Sequence, residues 1–486
     1  MTGVDDRNPS MPTDVAPAVE QPDLRRGVLS LPEVLAQSVA NMAPSAAMAL
    51  LPLLVFLNAG NGSWLSFVIA LVLMLLVGFC ITQFAKRTNA SGSFYSWVRA
   101  SLGVGAGHTA GSGLLLGYIA TGMATVLGFG IYGADLLTRL GITSGVGYVQ
   151  VVLYGVDLIG AVLVAISDVR ISVRTSMVLE AISVVAILAI CVAVFVEHGA
   201  VLDTAQISLR DSGLGGVTVG VVLAIFAFVG FESAGSLGRE ARNPERTIGR
   251  AILWSAGLVG LFYVFVVYTQ VYGFSGTEPG FAKSTAPLPE LADIVHLPVL
   301  APIVDLGIMC SMFACTLACI NAASRVLYTM AQDELATQRL AGVHRRHHTP
   351  HLAMWTVGVP MLVVPALFLL LGNDPIALNG WVGTVAVFGF MLGYCLAAAG
   401  AAWYLRSRGE PSALTTLLAV VSVGAMLFVF WANWMPQHPA NGVFPALTSP
   451  YDVLPYVFLG WVAFSALWYA LVRRRAAAPS VPAPPQ

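Results

Sequence analysis

The chain has 486 residues, of which 57% are hydrophobic and only 10% are charged. A soluble globular protein carries roughly 25% charged residues, so most of this chain must avoid water. The net charge of −1 gives no reason to expect nucleic acid as a partner. The six cysteines lie in apolar stretches without a CxxC pair, which excludes a metal or disulfide framework of the usual spacing.

Twelve apolar segments follow one another along the chain, each long enough for the roughly 20 residues that a membrane helix needs. We number them helix 1 to helix 12. They lie near residues 34–56, 63–85, 108–137, 146–167, 175–196, 217–236, 251–272, 299–329, 352–371, 380–404, 412–432 and 454–472.

The positive charges separate onto one side of these segments. With the N-terminus taken as cytoplasmic, 21 of the 24 Lys and Arg residues fall in cytoplasmic segments, and only Arg139, Arg210 and Lys283 lie outside. Cytoplasmic loops carry an excess of Lys and Arg. The sequence therefore predicts twelve spans in a cytoplasmic membrane, with both termini cytoplasmic and lipid on all sides.

Two of the predicted helices are interrupted. Helix 1 has Pro44 near its middle, followed by Ser45, Ala46 and Ala47, and helix 6 has Gly230 in its inner half. Proline removes a backbone donor and glycine permits unusual dihedrals. Helices 1 and 6 occupy matching places in two oppositely oriented five-helix halves, which is typical of a substrate site in transporters with inverted repeats. Proline and glycine also occur in ordinary membrane helices, so the breaks alone leave both interpretations open.

Such breaks suggest the class of ligand. Freed amides at the start of a half-helix attract a carboxylate, and freed carbonyls attract an ammonium group. A site that offers both suits a zwitterion.

The run FAFVGFESAGSLGREARNPERTIGRAI, from Phe226 to Ile252, resembles the amino acid–polyamine–organocation permeases. In that family an aromatic-glycine-aromatic-glutamate stretch, here ending at Glu232, closes helix 6, and an E-x-x-N-P segment leads into helix 7. Further matches lie at 89–97 and 321–336.

The resemblance implies an all-α membrane protein in which two intertwined five-helix inverted repeats form the core and helices 11 and 12 lie outside it. It implies a secondary transporter that moves an amino acid by alternating access. The substrate carboxylate would bind the amides around Pro44–Ala47, where the family's usual Gly-Ser-Gly is absent. The amino group would bind the carbonyls of Phe226, Ala227 and Val229 beside Gly230, with Phe226 as an aromatic gate or, alternatively, a ring facing lipid.

The same resemblance divides the chain into parts. Residues 29–404 form the transport core, with repeats at about 31–200 and 214–404, and residues 405–472 hold helices 11 and 12. The polar, proline-dotted residues 1–28 and the basic, Ala/Pro-rich residues 473–486 are predicted to be disordered cytoplasmic tails. A monomer and a homodimer both fit.

Glu232 lies inside the membrane part of helix 6, and an acid at that depth is a candidate for proton coupling. A structural carboxyl is the alternative. Glu180 in helix 5 is the second candidate, while the roles of Asp157 and Asp305 stay open. The facing part of helix 8, residues 315–319, offers one hydroxyl, that of Thr316, rather than a pair, so proton symport or exchange is favoured over sodium coupling.

Three rival interpretations remain. An amine or polyamine carrier of the same fold would not depend on a substrate carboxylate. A membrane enzyme or receptor would need a catalytic cluster or a sizeable soluble domain, and the longest loop has only about 25 residues. The run HRRHHTPH at 344–351 is interpreted as a solvated basic loop rather than a metal site, and no cofactor is predicted.

The orientation can be tested by placing cysteines at Arg139 and Arg242. An impermeant thiol reagent is expected to label R139C from outside and R242C only from inside, because the charge separation puts these positions on opposite sides. The reverse pattern would contradict the orientation.

Overall fold

The computed structural model describes residues 30–87, 94–142, 146–167, 169–237, 241–278, 280–344, 349–434 and 447–477. We number the membrane helices α1 to α12 in chain order and give the halves of an interrupted helix the letters a and b. They are α1a Leu31–Met42, α1b Pro44–Ala59, α2 Ser63–Ala85, α3 Val104–Arg139, α4 Val146–Ser167, α5 Val169–His198, α6a Leu214–Phe228, α6b (a 3-10 helix) Phe231–Leu237, α7 Pro244–Gly273, α8 Leu300–Gln332, α9 His351–Leu370, α10 Pro375–Ser407, α11 Ala413–Trp434 and α12 Leu454–Ala477.

Eleven stretches of the described chain are long and apolar enough to cross a membrane, and the first accounts for two crossings. That stretch, Leu31–Ala85, has 55 residues, more than twice the length that one crossing requires. It contains α1 and α2, which are joined by a short turn at Gly60–Gly62. The twelve predicted spans are therefore confirmed.

The helices pack as two related halves. Each of the first four helices contacts the helix five places later: α1 contacts α6, α2 contacts α7, α3 contacts α8, and α4 contacts α9. The last two helices pack on the outside of this core, α11 against α10 and α12 against α10 and α3. This arrangement confirms the predicted fold of two intertwined five-helix repeats with two peripheral helices.

Apolar side chains exposed along one helix face mark the surface that meets lipid. On α4, Val152, Val156, Ile159 and Leu163 are each about half exposed or more, at spacings of four, three and four residues. This spacing puts them on one helical face. The opposite face carries Tyr154, which is fully buried. In water such a stripe would be unfavourable, whereas in hydrocarbon it needs no partner.

Several boundaries differ from the predicted ones. Helix α5 begins at Val169, six residues before the predicted start at 175, and α12 continues to Ala477, past the predicted end at 472. Connecting segments also contain short helices, of which the amphipathic Phe94–Leu102 and Pro287–Ile294, between α7 and α8, are the longest. The predicted tail at 1–28 and positions 478–486 lie outside the described residues, so the disorder of both tails stays a prediction.

Helices α3 and α10 approach closely because glycines face each other at their crossing. A Cβ atom added to Gly389 would lie 2.5 Å from the carbonyl oxygen of Gly113, and one added to Gly113 would lie 2.7 Å from the carbonyl oxygen of Gly389. Small residues permit such close backbone contact between membrane helices. The crossing positions both helices around the interrupted part of α6, as described below.

We expect Gly389→Ala to destabilise the protein by about 1–3 kcal/mol, because its methyl group would push α10 away from α3. The measurement is the thermal unfolding midpoint in detergent, which should fall. Gly424→Ala in α11 is the matched control, since a Cβ at Gly424 meets no atom within 4 Å. Equal midpoints for the two variants would show that the crossing tolerates a wider separation.

Candidate substrate site at the two helix breaks

The break in α1 falls at Ala43, between α1a and α1b. Ala43 has φ 44° and ψ 67°, a left-handed conformation that is unfavourable for a residue with a side chain. Pro44 then begins α1b at a position where its missing N–H costs nothing. A continuous helix would have required a hydrogen bond that Pro44 cannot donate, so the prediction of an interruption at this point agrees with the backbone.

The break in α6 falls at Val229 and Gly230. Helix α6a ends at Phe228, Gly230 has φ 103°, and the 3-10 helix α6b starts at Phe231. A Cβ at Gly230 would lie only 2.7 Å from Nδ2 of Asn41 and 2.8 Å from its carbonyl oxygen. Both the dihedral and the close contact therefore require glycine at this position.

The two breaks are joined directly. The Asn41 side chain, at the end of α1a, donates a hydrogen bond to the Gly230 carbonyl at 3.4 Å. The Ser38 hydroxyl donates to the Phe231 carbonyl at 3.1 Å and accepts from the Ala234 N–H at 3.2 Å. Polar side chains of α1a thus satisfy backbone groups that α6 leaves unpaired, as a broken helix in a membrane requires.

The first amides of α1b have identified partners. The Ser45 N–H donates to Oε1 of Glu180 at 2.7 Å, and the Ala46 N–H donates to Oγ of Ser311 at 3.3 Å. The Ala47 N–H closes the first helical turn onto the Ala43 carbonyl at 2.9 Å. Glu180 comes from α5 and Ser311 from α8, so two neighbouring helices contribute side chains to the predicted position of the substrate carboxylate.

The carboxylate of Glu232 binds three donors around the α6 break. Oε1 accepts from the Tyr118 hydroxyl at 2.9 Å, and Oε2 accepts from the Tyr394 hydroxyl and the Gly230 N–H, both at 3.1 Å. Tyr118 lies on α3 and Tyr394 on α10, the two helices that cross at the facing glycines. The residue is only 3% exposed. Glu232 therefore connects the irregular part of α6 to both neighbouring helices.

Phe226 lies in the last turn of α6a with its ring against α10. A Cβ added to Gly383 of α10 would lie 2.9 Å from Cε1 of the Phe226 ring, so this ring faces protein rather than lipid. Its neighbours Ala227 and Val229 are buried. The lipid-facing interpretation of Phe226 is thus wrong, while its role as a gate stays a prediction.

A small cavity of about 20 Å³, room for about one water molecule, lies next to Phe226, toward the start of α6a. Two of its lining residues, Val222 and Leu223, are one turn before Phe226, and Thr384 directly follows Gly383. Its other wall comes from the end of α1b and from the residues before α12. The remaining lining residues are Asn58, Val219, Asn433, Leu447 and Tyr451.

Asp157 and Asp305 lie away from the two breaks. Oδ2 of Asp157, on α4, accepts from the Thr316 hydroxyl at 2.8 Å, and Thr316 is within 2.8 Å of the Thr125 hydroxyl. The Thr316 hydroxyl is therefore turned toward α3 and α4 rather than toward the α1 break. Asp305 lies 3.5 Å from Nε of Arg139 in an ion-pair cluster at the C-terminal end of α3.

That cluster joins three elements at the C-terminal end of α3. Arg139 also pairs with Asp135 at 2.6 Å and with Asp293 at 2.8 Å. Asp293 belongs to the short helix Pro287–Ile294, so Arg139 holds this connecting segment against α3.

No group of three or more His, Cys, Asp or Glu residues with metal-binding geometry occurs among the described residues. Half of the predicted basic loop at 344–351 falls outside them, since positions 345–348 are not described. Glu240 of the E-x-x-N-P segment is also outside, whereas Asn243 adopts φ 50° directly before α7 begins at Pro244.

The sequence pattern of the amino acid permease family matches residues 29–464. The chain belongs to the amino acid permease family. The permease is 27% identical over 348 residues to the branched-chain amino acid permease BcaP of Bacillus subtilis, covering 68% of this chain and 72% of that protein. It is 26% identical to BcaP of Lactococcus lactis, covering 64% and 69%. Family membership indicates a transporter rather than an enzyme.

Two further comparisons extend this picture. The permease is 28% identical over 353 residues to cationic amino acid transporter 4 of the mouse, covering 68% of this chain and 53% of that protein. Its fold matches the crystal structure of MhsT in complex with L-phenylalanine with a TM-score of 0.60 over 84% of this chain and 100% of that one. At 13% identity this likeness shows the fold alone.

Proposed function

We propose that this permease moves an amino acid across the bacterial cytoplasmic membrane by alternating access, coupled to protons or to exchange of a second substrate. The observation that carries the proposal is the pair of joined breaks, at Ala43 and at Gly230, in the middle of a membrane bundle. Irregular backbone at that depth is tolerated where it lines a ligand site. The relatives named branched-chain amino acid permeases support an amino acid substrate.

The two breaks, one in α1 and one in α6, suit the two charged ends of an amino acid. Pro44 starts α1b without an N–H, so the amides of Ser45, Ala46 and Ala47 form its electropositive end, where a carboxylate is stabilised. On the α6 side, the carbonyls of Phe226, Ala227 and Val229 precede Gly230 and suit an ammonium group. The two ends lie close together because α1a and α6b are hydrogen-bonded to each other.

Phe226 would act as the gate on the outer side of this site. Its ring lies between the break at Gly230 and the residues that line the cavity described above. A ring that swings away from Gly383 would connect that cavity with the site. This position supports the gating role that the family resemblance implies.

An amine carrier is the second candidate, and one contact favours it. The Glu180 carboxylate already binds the Ser45 amide, so the carboxylate position of the site has a resident anion. A substrate without a carboxylate would leave that contact unchanged and pair its ammonium with Glu180.

Uptake by proteoliposomes distinguishes the two candidates. We expect saturable uptake of labelled L-leucine that increases when the outside is made more acidic than the inside. Unlabelled amino acids should compete, whereas isopentylamine, which is leucine without its carboxylate, should not. Competition by isopentylamine and putrescine but by no amino acid would show an amine carrier.

Ala46→Leu links that uptake to the breaks. Ala46 is buried in the first turn of α1b, so a leucine there would fill the space beside the amides. The variant should lose uptake while remaining folded in the membrane. Ala413→Leu at the exposed start of α11 is the control for a bulkier side chain outside the site.

We also propose that Glu232 couples conformation to protons. In the closed arrangement its carboxylate binds Tyr118, Tyr394 and the Gly230 amide, whereas opening of the cytoplasmic half would expose it to water and to protons. Because the two arrangements bind the proton differently, pH should shift the balance between them.

Glu232→Gln should therefore bind substrate but lose most of the pH dependence of transport. The measurement is the uptake rate between pH 6 and pH 8 at saturating substrate, so that substrate affinity does not contribute. Tyr118→Phe is the matched control, since it removes one donor but leaves the carboxyl, and it should keep a pH-dependent rate. If Glu232→Gln keeps the wild-type profile, Glu232 is a structural carboxyl only.

A further inference from the structure

A glutamate binds a backbone N–H at each of the two helix breaks, and the two contacts differ in kind. Glu232 is two residues from the Gly230 amide that it accepts from, and two tyrosines hold its carboxylate in place. Glu180 reaches Ser45 from another helix, across 135 residues of sequence, with an N–O distance of 2.7 Å. One contact belongs to the structure of α6, whereas the other joins α5 to the predicted substrate site.

The Ser45 N–H is the first N–H of α1b, and its partner is a side chain rather than a helix carbonyl. Pro44 has no N–H, the Ala46 N–H is directed to Ser311, and the Ala47 N–H is directed to the Ala43 carbonyl. The start of a helix stabilises an anion through such amides and through the helix dipole. Glu180 therefore occupies the position at which a substrate carboxylate would be stabilised most strongly.

We infer that Glu180 is a resident carboxylate that the substrate carboxylate displaces from the Ser45 amide, and that Glu180 takes up a proton as it leaves. The inference rests on the proposed function, since only a substrate with a carboxylate would displace it. Two ionised carboxylates at one set of amides repel each other, so one of them is neutralised. The Glu180 carboxylate gains one proton from water, and the amino acid binds as a zwitterion.

Among the described side chains, none of those around Glu180 is positively charged, so a proton is what neutralises its carboxylate. The groups that face it among the described side chains are the Ser311 hydroxyl and Cys310 of α8, Ser45 of α1b and Tyr263 of α7. These groups carry no positive charge. Of the acids on the other elements that contact α5, Asp157 pairs with Thr316, Glu33 with Ser30, Glu290 with Thr285, and Asp293 and Asp305 with Arg139.

This arrangement links the substrate and the proton thermodynamically. If the amino acid binds better when Glu180 is protonated, the proton binds better when the amino acid is present, by the same factor. Affinity should then rise as pH falls, and about one proton would accompany each substrate molecule. The coupling would arise at the binding step, which separates it from the conformational role proposed for Glu232.

The test is the equilibrium affinity of the purified full-length permease for L-leucine and for isopentylamine between pH 6 and pH 8. We expect the wild type to bind L-leucine at least about fivefold more tightly at pH 6, at the lower end of usual coupling factors. Glu180→Gln should bind L-leucine at pH 8 as tightly as the wild type does at pH 6, without pH dependence. Isopentylamine should bind weakly to both.

Asp157→Asn neutralises a buried acid outside the site and should keep the wild-type pH dependence of L-leucine binding. Tight isopentylamine binding by the wild type that Glu180→Gln abolishes would overturn the inference and make Glu180 the partner of an amine. A pH-independent affinity of the wild type for L-leucine would also overturn the inference. That measurement uses the wild type alone, so it does not depend on whether any variant folds. Absence of L-leucine uptake together with absence of binding of either probe would instead contradict the proposed function.

Discussion

Backbone hydrogen bonding in a medium without water is the constraint on which the rest of this structure depends. A membrane helix satisfies its own amides and carbonyls, so each interruption needs partners from outside the helix. At the α1 break these partners come from α5 and α8, and at the α6 break they come from α1a. The position of the breaks therefore fixes which helices must surround them.

The same constraint explains a proline that does not break its helix. Pro52 lies inside α1b and cannot donate to the carbonyl of Met48, four residues earlier. The side chain of Gln270, on α7, donates to that carbonyl at 2.8 Å and replaces the missing bond. The hydroxyl of Tyr132 also donates to the Ala49 carbonyl at 2.7 Å. Because neighbouring helices supply these donors, α1b remains helical through a position where proline alone would interrupt it.

The fold was predictable because the membrane simplifies the relation between sequence and structure. Runs of about 20 apolar residues specify the spans, and Pro44 and Gly230 specify the breaks through their own backbone chemistry. The partners of Glu232 and Glu180 could not be predicted in this way. Tyr118 lies 114 residues from Glu232, and the face that a helix turns to its neighbour depends on packing in three dimensions. Ser311 was missed for the same reason.

The hydrogen bonds at the breaks also show which helices hold each half of α1. Ser38 and Asn41 tie α1a to the α6 break, whereas Gln270 and Tyr132 tie α1b to α7 and α3. Tyr263 of α7 also donates to the Met42 carbonyl at the end of α1a, at 3.1 Å. Ala43 lies between the contacts of α1a and those of α1b, and the Ser45 and Ala46 amides bond side chains instead of carbonyls across the break. Among the described residues, Glu180 bonds the Ser45 amide on the α1b side of the break, so a substrate that displaces it would act where the two halves of α1 meet.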